Sequence, residues 1–369
     1  MRIGSDAEYE VGTSCGLGKG GFGVVVKGRH RATGRTVAIK SLRPPADDPV
    51  ELQQEARLLL DASRGNPYVV GFHGLVQDRA TGALRLAMEY AGPSLRAVLW
   101  ERSERLSVSK VPEATVRAFM WQLLTGASTM HERGIVHRDI KPSNVLVGED
   151  GTVRLCDLGL AMYLATEPMP YCSAGTPCYK APEALMGKPD YDARVDTWSL
   201  GCVMAQMLTG TKLFDSDVNE VDQLWTIFGV LGMPDDETWP GFSSLPLADV
   251  TMRWPLYEQK KLSRLGELFS DDVRLSRDGF EVLEGLLACN PDRRLTAAAV
   301  LELPWFVRLD AYAAAELVVL ALPCEKTIPP PATPKKKNML KKVPLEIWNA
   351  LRTATRSKTH GTYKRLSNL

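Results

Sequence analysis

His137-Arg138-Asp139-Ile140-Lys141-Pro142-Ser143-Asn144 lies near the middle of a chain of 369 residues, and its polar side chains are spaced for chemistry on a phosphate. Asp139 is placed to take the proton of an incoming hydroxyl, and Lys141 to neutralise charge on a phosphoryl group in transit. Asn144, five residues after Asp139, can reach a magnesium ion. Thirteen residues beyond it comes Asp157-Leu158-Gly159, whose carboxylate would bind the same kind of metal and, through it, the phosphates. Such a transfer asks a protein mainly for positioning and charge neutralisation, and this set supplies both. His137 reads as a core histidine bracing the loop rather than as a base.

Towards the N-terminus, Gly18-Lys19-Gly20-Gly21-Phe22-Gly23 has the G-x-G-x-x-G spacing that lets backbone amides close over phosphates where a Cβ would clash. Dinucleotide-binding loops share that spacing, but they run directly into a helix, whereas Val24-Val25-Val26 continues here as strand. Seventeen residues after Gly23, Val37-Ala38-Ile39-Lys40 ends on a lysine. Strand alternation turns Ala38 and Lys40 to one face, leaving room for a planar base beside Ala38. Glu55 is the natural carboxylate to hold Lys40 against phosphates. A lone strand lysine would be read as a surface residue; its place in this series makes it a site candidate.

Beyond the loop, Gly175-Thr176-Pro177-Cys178-Tyr179-Lys180-Ala181-Pro182-Glu183 closes a segment that begins at Asp157. A buried Glu183 needs a cation, and Arg294 in Asp292-Arg293-Arg294-Leu295 is the candidate. Asp196, opening an apolar helical stretch, is expected to receive backbone amides of the Asp139 loop. Glu183, Arg294 and Asp196 are thus supports, not chemistry.

Hydrophobic residues make up 44% and charged residues 24%, which suits a soluble globular protein. The net charge of +1 supplies no field for nucleic acid or membrane. Met1–Glu10 has no apolar core for a signal peptide, and the apolar run at 311–322 is broken by Glu316, well short of a membrane span. Seven scattered cysteines without metal-ligand spacing predict reduced thiols and a cytoplasmic or nuclear setting. Up to Gly92 the pattern is mostly strand with one helix after Pro49; beyond it, amphipathic stretches at 113–132, 193–209, 220–231 and 279–288 predict helices. Val69–Val76 and Leu84–Tyr90 are expected as two further strands. The chain therefore divides into a small β-rich lobe, 1–92, and a larger helical lobe, 93–309, an α+β bilobal fold. A tail, 310–369, opens with Pro329–Pro331; its last stretch, 323–369, holds eleven Lys or Arg against Glu325 and Glu346, a local charge of +9. It reads as a solvated basic arm, with Lys335–Lys337 an alternative import or docking element.

Together these motifs resemble those of the eukaryotic protein kinases, from about Tyr9 to Phe306. The stretches Leu213-Phe214-Asp215-Ser216-Asp217 and Ile227-Phe228-Gly229-Val230-Leu231-Gly232-Met233-Pro234 are similar to the cyclin-dependent branch, including its plant F-type members. The resemblance implies a serine/threonine protein kinase using ATP and Mg2+, with Asp139 and Lys141 catalytic and Asn144 and Asp157 on the metal. Its ATP site would comprise Leu17, Gly18, Gly20, Gly23, Val25, Ala38, Lys40, Glu55 and Met88, the residue behind the adenine. Glu89 and Ala91 would offer backbone groups to the adenine edge, with little asked of their side chains. Arg138 would pair with a phosphate in the segment containing Tyr171, Ser173 and Thr176. Implied partners are a protein substrate, a cyclin and an activating kinase. The alternative is a catalytically weak or inactive scaffold of the same shape.

Four positions depart from the branch pattern. The cyclin-contacting Pro-Ser-Thr-Ala-Ile-Arg-Glu is P-V-E-L-Q-Q-E at 49–55, so a cyclin requirement does not carry over directly. Tyr171 stands where the activating threonine is expected. Lys180 replaces the arginine of Tyr-Arg-Ala-Pro-Glu, which predicts weakened selection of proline after the target residue, since lysine has no planar fork. Leu158 replaces a phenylalanine of similar bulk.

Overall fold

β-Branched stretches separated by turn residues build the first part of the chain. The computed structural model describes residues 3–20, 23–42, 49–107, 109–164, 175–216, 219–253, 262–269 and 275–307. Strands β1 (Ile3–Ser5), β2 (Tyr9–Gly20), β3 (Gly23–His30) and β4 (Thr36–Ser41) precede helix α1 (Pro49–Ser63), and β5 (Phe72–Gln77) and β6 (Leu84–Glu89) follow it. They form one six-stranded sheet in the order β1-β5-β6-β4-β3-β2. All its pairings are antiparallel except β1 with β5. In α1, Leu52, Glu55, Ala56 and Leu59 fall at helical spacing and are buried against the sheet.

The expected strand at 69–76 is shorter than its apolar run. Val69 leaves the sheet to make an isolated parallel bridge with Leu155, so the ladder with β6 begins at Phe72. Residues 69–71 thereby join the sheet to the second part of the molecule.

That part is helical: α2 (Leu95–Leu106) and α3 (Glu113–Glu132) come first, then the short strands β7 (Ile135–Val136), β8 (Val145–Val147), β9 (Val153–Leu155) and β10 (Met162–Tyr163). Helices α4 (Pro182–Leu185), α5 (Arg194–Thr209), α6 (Glu220–Leu231), α7 (Ala248–Met252), α8 (Leu265–Phe269), α9 (Arg277–Leu286), α10 (Ala297–Leu301) and α11 (Pro304–Val307) complete the described residues. The helix expected from 279 starts two residues earlier because Ser276 caps it, its hydroxyl accepting the Gly279 amide at 3.1 Å. Helix α5 is buried on nearly every side, as a helix apolar all round must be, and forms the axis of the lobe. Its Trp198 stacks on Phe214 with ring centroids 5.5 Å apart. Hairpin β8–β9 carries the loop residues on both flanks, Asn144 before β8 and Asp157 after β9.

Candidate active site

Sheet register alone brings several of the expected residues together. Gly18 stands opposite Val25, Val25 opposite Lys40, and Ala38 opposite Met88. Ala38 and Met88 are buried, as is Ala91, while Leu17 is partly exposed at the rim. The glycines differ among themselves. Among the described residues, a Cβ on Gly16 or Gly18 would meet nothing within 4 Å. At Gly23 a Cβ would lie 2.2 Å from the Ser41 carbonyl, with φ at +150°. Gly20 pairs with Gly23 at the turn. Glycine at 23 serves the fold; the space beside 16 and 18 is left for something else.

Lys40 is 3% exposed, and its ammonium donates to both Glu55 oxygens, at 2.7 and 2.9 Å, and to Asp157 Oδ1 at 2.6 Å. Burial alone would lower the Lys40 pKa, but the two carboxylates outweigh it and raise it. For Asp157, burial pulls upward and Lys40 more than offsets it, so its carboxyl sits below the usual range. Asp157 and Arg138 both have φ of +64°, a left-handed backbone that costs non-glycine residues energy and is tolerated where a site over-determines it.

Asp139 is held by its neighbours from four directions. Lys141 Nζ donates to Oδ2 at 2.6 Å and Asn144 Nδ2 at 3.0 Å, while the Thr176 amide and hydroxyl donate to Oδ1 at 3.2 and 3.1 Å. Lys141 also donates to Thr176 Oγ1 at 2.8 Å, which closes a ring of three side chains. Because Asn144 spends its NH2 on Asp139, including the backbone carbonyl at 2.9 Å, its amide oxygen remains as the metal-type ligand. Thr176 was expected only as part of the segment that takes a phosphate; its hydroxyl in fact joins Asp139 to Lys141. The separation of 35 residues between Lys141 and Thr176 hides that from any local pattern.

The supports fall where the sequence places them. Asp196 is fully buried and accepts the amides of His137 and Arg138, both at 2.8 Å, with His131 Nε2 2.9 Å away. Burial pushes its pKa up, but the His131 hydrogen bond and charge, with His137, bring it below the ordinary value. His137 is fully buried, its Nε2 3.0 Å from the Cys156 carbonyl. Arg294 grips Glu183 through two bonds of 2.5 and 2.7 Å. Arg138 donates from Nε to the Leu160 carbonyl at 2.7 Å and from Nη1 to the Tyr191 hydroxyl at 3.3 Å. Tyr171 and Ser173 lie outside the described residues.

The Glu89 side chain is less idle than expected. It accepts the Gly71 amide at 2.9 Å and lies 3.5 Å from Arg154, contacts that no sequence spacing announces.

A protein kinase domain model matches residues 12–306 of the chain. The chain belongs to the protein kinase family. It is 43% identical over 301 residues to a candidate cyclin-dependent kinase F-2 of Oryza sativa subsp. japonica, covering 80% of this chain and 89% of that protein. Cyclin-dependent kinase B2-1 of the same plant is 36% identical over 298 residues, covering 79% and 87%. Among solved structures, the yeast RNA Pol II CTD kinase CTDK-1 complex contains a chain matching with a TM-score of 0.71 and 26% identity, over 81% of this chain and 93% of that one. This kinase is therefore a serine/threonine protein kinase of the cyclin-dependent branch, using ATP and Mg2+.

The residues present suit that nucleotide. Open space beside Gly16 and Gly18 would leave room for phosphates, Lys40 would offer its ammonium, and Asp157 and Asn144 would offer the oxygen ligands magnesium prefers. Bound Mg-ATP supplies the phosphoryl group and the metal charge that balances it; the chain supplies orientation, a fixed cation and a positioned carboxylate.

Proposed function

We propose that this kinase phosphorylates serine or threonine in a protein substrate, with Asp139 accepting the hydroxyl proton and Lys141 neutralising charge on the transferring group. The observation that carries the reading is the ring of Asp139, Lys141 and Thr176 with Asn144 attached, beside the Lys40–Glu55–Asp157 cluster. Lobes at 1–92 and 93–309 frame this site. Selection of proline after the target residue is weak: the Lys180 ammonium lies 3.4 Å from Glu220, a point contact where arginine would present a fork.

A cyclin-type partner meets the exposed start of α1, including Val50, which accords with the cyclin-dependent relatives. It is not needed to bring Glu55 to Lys40. Arg133 donates to the carbonyls of Asp61, Ala62 and Arg64, and the Tyr163 hydroxyl bonds Asp61 at 2.6 Å, anchoring the other end of α1. An activating kinase acting on Tyr171 or Ser173, and a cytoplasmic or nuclear setting, complete the reading.

The test is phosphate transfer to peptides with and without proline after the target serine. Asp139→Asn lowers kcat by about 10²–10⁴-fold, the range of a lost general base. The native kinase prefers the proline peptide only slightly. Equal turnover by native and variant chains would remove Asp139 from the reaction.

A further inference from the structure

Glu89 ends β6 at the start of the connection between the lobes, and both of its carboxylate oxygens are engaged. Oε2 accepts the Gly71 amide at 2.9 Å, and Oε1 lies 3.5 Å from Nε of Arg154. Arg154 is the central residue of β9, three positions before Asp157, and its Nη1 donates to Thr152 Oγ1 at 2.8 Å. Gly71 is no free end either. The Glu89 amide donates back to the Gly71 carbonyl at 2.8 Å, and neighbouring Val70 donates to the Leu155 carbonyl at 3.0 Å. Leu155 in turn donates to the Tyr68 carbonyl at 2.8 Å. The first residue of the connection, the segment 68–71 and strand β9 thus form one closed set of contacts.

The rest of the connection has contacts of its own with β3 and β8. Lys27 lies over the Tyr90 ring at 4.5 Å. Gly92 has φ of +108°, and a Cβ there would stand 2.2 Å from the Val147 carbonyl, while the Val147 amide donates to the Pro93 carbonyl at 2.8 Å. These contacts seat the connection on β8. The Glu89 side chain links it to Arg154 on the strand that leads into Asp157.

We propose that Glu89 and Arg154 are a positioning pair for the nucleotide. The pair sets the spacing between the backbone at 89–91, which would face the base, and Asp157, which would hold the metal at the phosphate end. Neither side chain touches the nucleotide; both act through the strands that do. The inference rests on the nucleotide site described above. The pair is partly exposed, with side-chain exposures of 18% for Arg154 and 34% for Glu89, so removing it leaves the chain folded. Glu89→Gln keeps an oxygen for the Gly71 amide and deletes the charge facing Arg154. Arg154→Met keeps the length and deletes the other charge.

The experiment uses the full chain and Mg-ADP as the probe, with affinity measured by calorimetry, alongside the KM for ATP, kcat and the thermal midpoint without ligand. Each single substitution raises the Mg-ADP dissociation constant and the ATP KM by about three- to tenfold, the range expected of residues that act on a ligand without touching it. The loss sits in those constants rather than in kcat. The double variant binds no worse than the weaker single one, because both remove the same contact. Arg154→Lys restores most of the affinity. Unchanged Mg-ADP affinity with a lowered thermal midpoint would make the pair a plain structural brace and overturn the proposal. So would a changed kcat with affinity intact, which would mark a restraint on lobe movement. Failure of the native chain itself to bind Mg-ADP would instead overturn the nucleotide site on which the proposal stands.

Discussion

Arg294 with Glu183, and Lys40 with Glu55, are two buried ion pairs in one molecule, yet only the first is closed. The side chains of Arg294 and Glu183 are 0% and 1% exposed. Besides its two bonds to Glu183, the guanidinium donates to the carbonyls of Ala288, Arg194 and Cys289, so all five of its N–H groups are used. Its flat face lies 5.0 Å from the Trp198 ring. Charge is balanced and every donor is spent, which leaves nothing for a ligand to do. Lys40 faces two carboxylates with one positive charge, and Asp157 is 32% exposed towards the cleft. That cluster carries surplus negative charge on its open side, where a metal ion is the natural complement. The same chemistry of buried charge thus serves the fold in one place and the reaction in the other.

The contrast predicts opposite consequences of losing the cation. Arg294→Met strands Glu183 in the core and costs about 3–5 kcal/mol of stability, the price of an unpaired buried charge. Thermal or denaturant unfolding reads it directly. Lys40→Met leaves Glu55 able to accept a proton, since burial already pushes its pKa up against the pull of Lys40. Its unfolding midpoint therefore stays close to native while transfer falls by about 10²–10³-fold, the scale of one lost charge stabiliser. If Lys40→Met unfolded as readily as Arg294→Met, the division between a closed and an open pair would be lost.

A second comparison concerns acid. Asp196 and Asp157 both have pKa values held below the ordinary 3.8, but only Asp196 is fully enclosed. A depressed carboxylate contributes stability that is present above its unfolded value and lost as pH falls through its folded one. For Asp196 that loss begins below about pH 4 and breaks the bonds to His137 and Arg138. Asp196→Asn puts an NH2 against one of these donors and costs about 1–3 kcal/mol at neutral pH. Denaturant curves taken between about pH 5 and pH 3 should then show a flatter acid slope for the variant than for the native kinase. Identical slopes would mean that Asp196 does not supply the acid sensitivity.

Short-range signals made much of this legible. The glycine turn, the lysine of β4 and the loop from His137 to Asn144 are each decided by neighbours within a few residues, so their spacing survives in the sequence. The ion pair of Glu183 and Arg294 was also readable, because a buried carboxylate demands a cation. His131 on Asp196 and Glu89 on Arg154 were not, since each depends on how separate elements dock. Thr176 was visible as a residue but not as a partner of Asp139. The strand expected at 69–76 was overextended for a related reason: valine at 69 and 70 satisfies either a sheet or a bridge, and only the position of Leu155 decides between them.

The finest form of the comparison lies within the glycine turn. Gly23→Ala places a Cβ 2.2 Å from the Ser41 carbonyl on a backbone with φ of +150°. Backbone on backbone has nowhere to yield, so the substitution costs about 1–3 kcal/mol of stability. Gly18→Ala meets none of the described residues within 4 Å and changes stability by less than about 0.5 kcal/mol, as an uncontacted surface site does. Its effect falls on the nucleotide instead, because the added methyl enters the space kept for phosphates, and the KM for ATP rises by about two- to fivefold at a cost below about 1 kcal/mol. Unfolding curves and ATP titrations on the two variants separate the roles. A Gly18→Ala kinase with native ATP affinity would show that the open space at this turn is not the phosphate cradle.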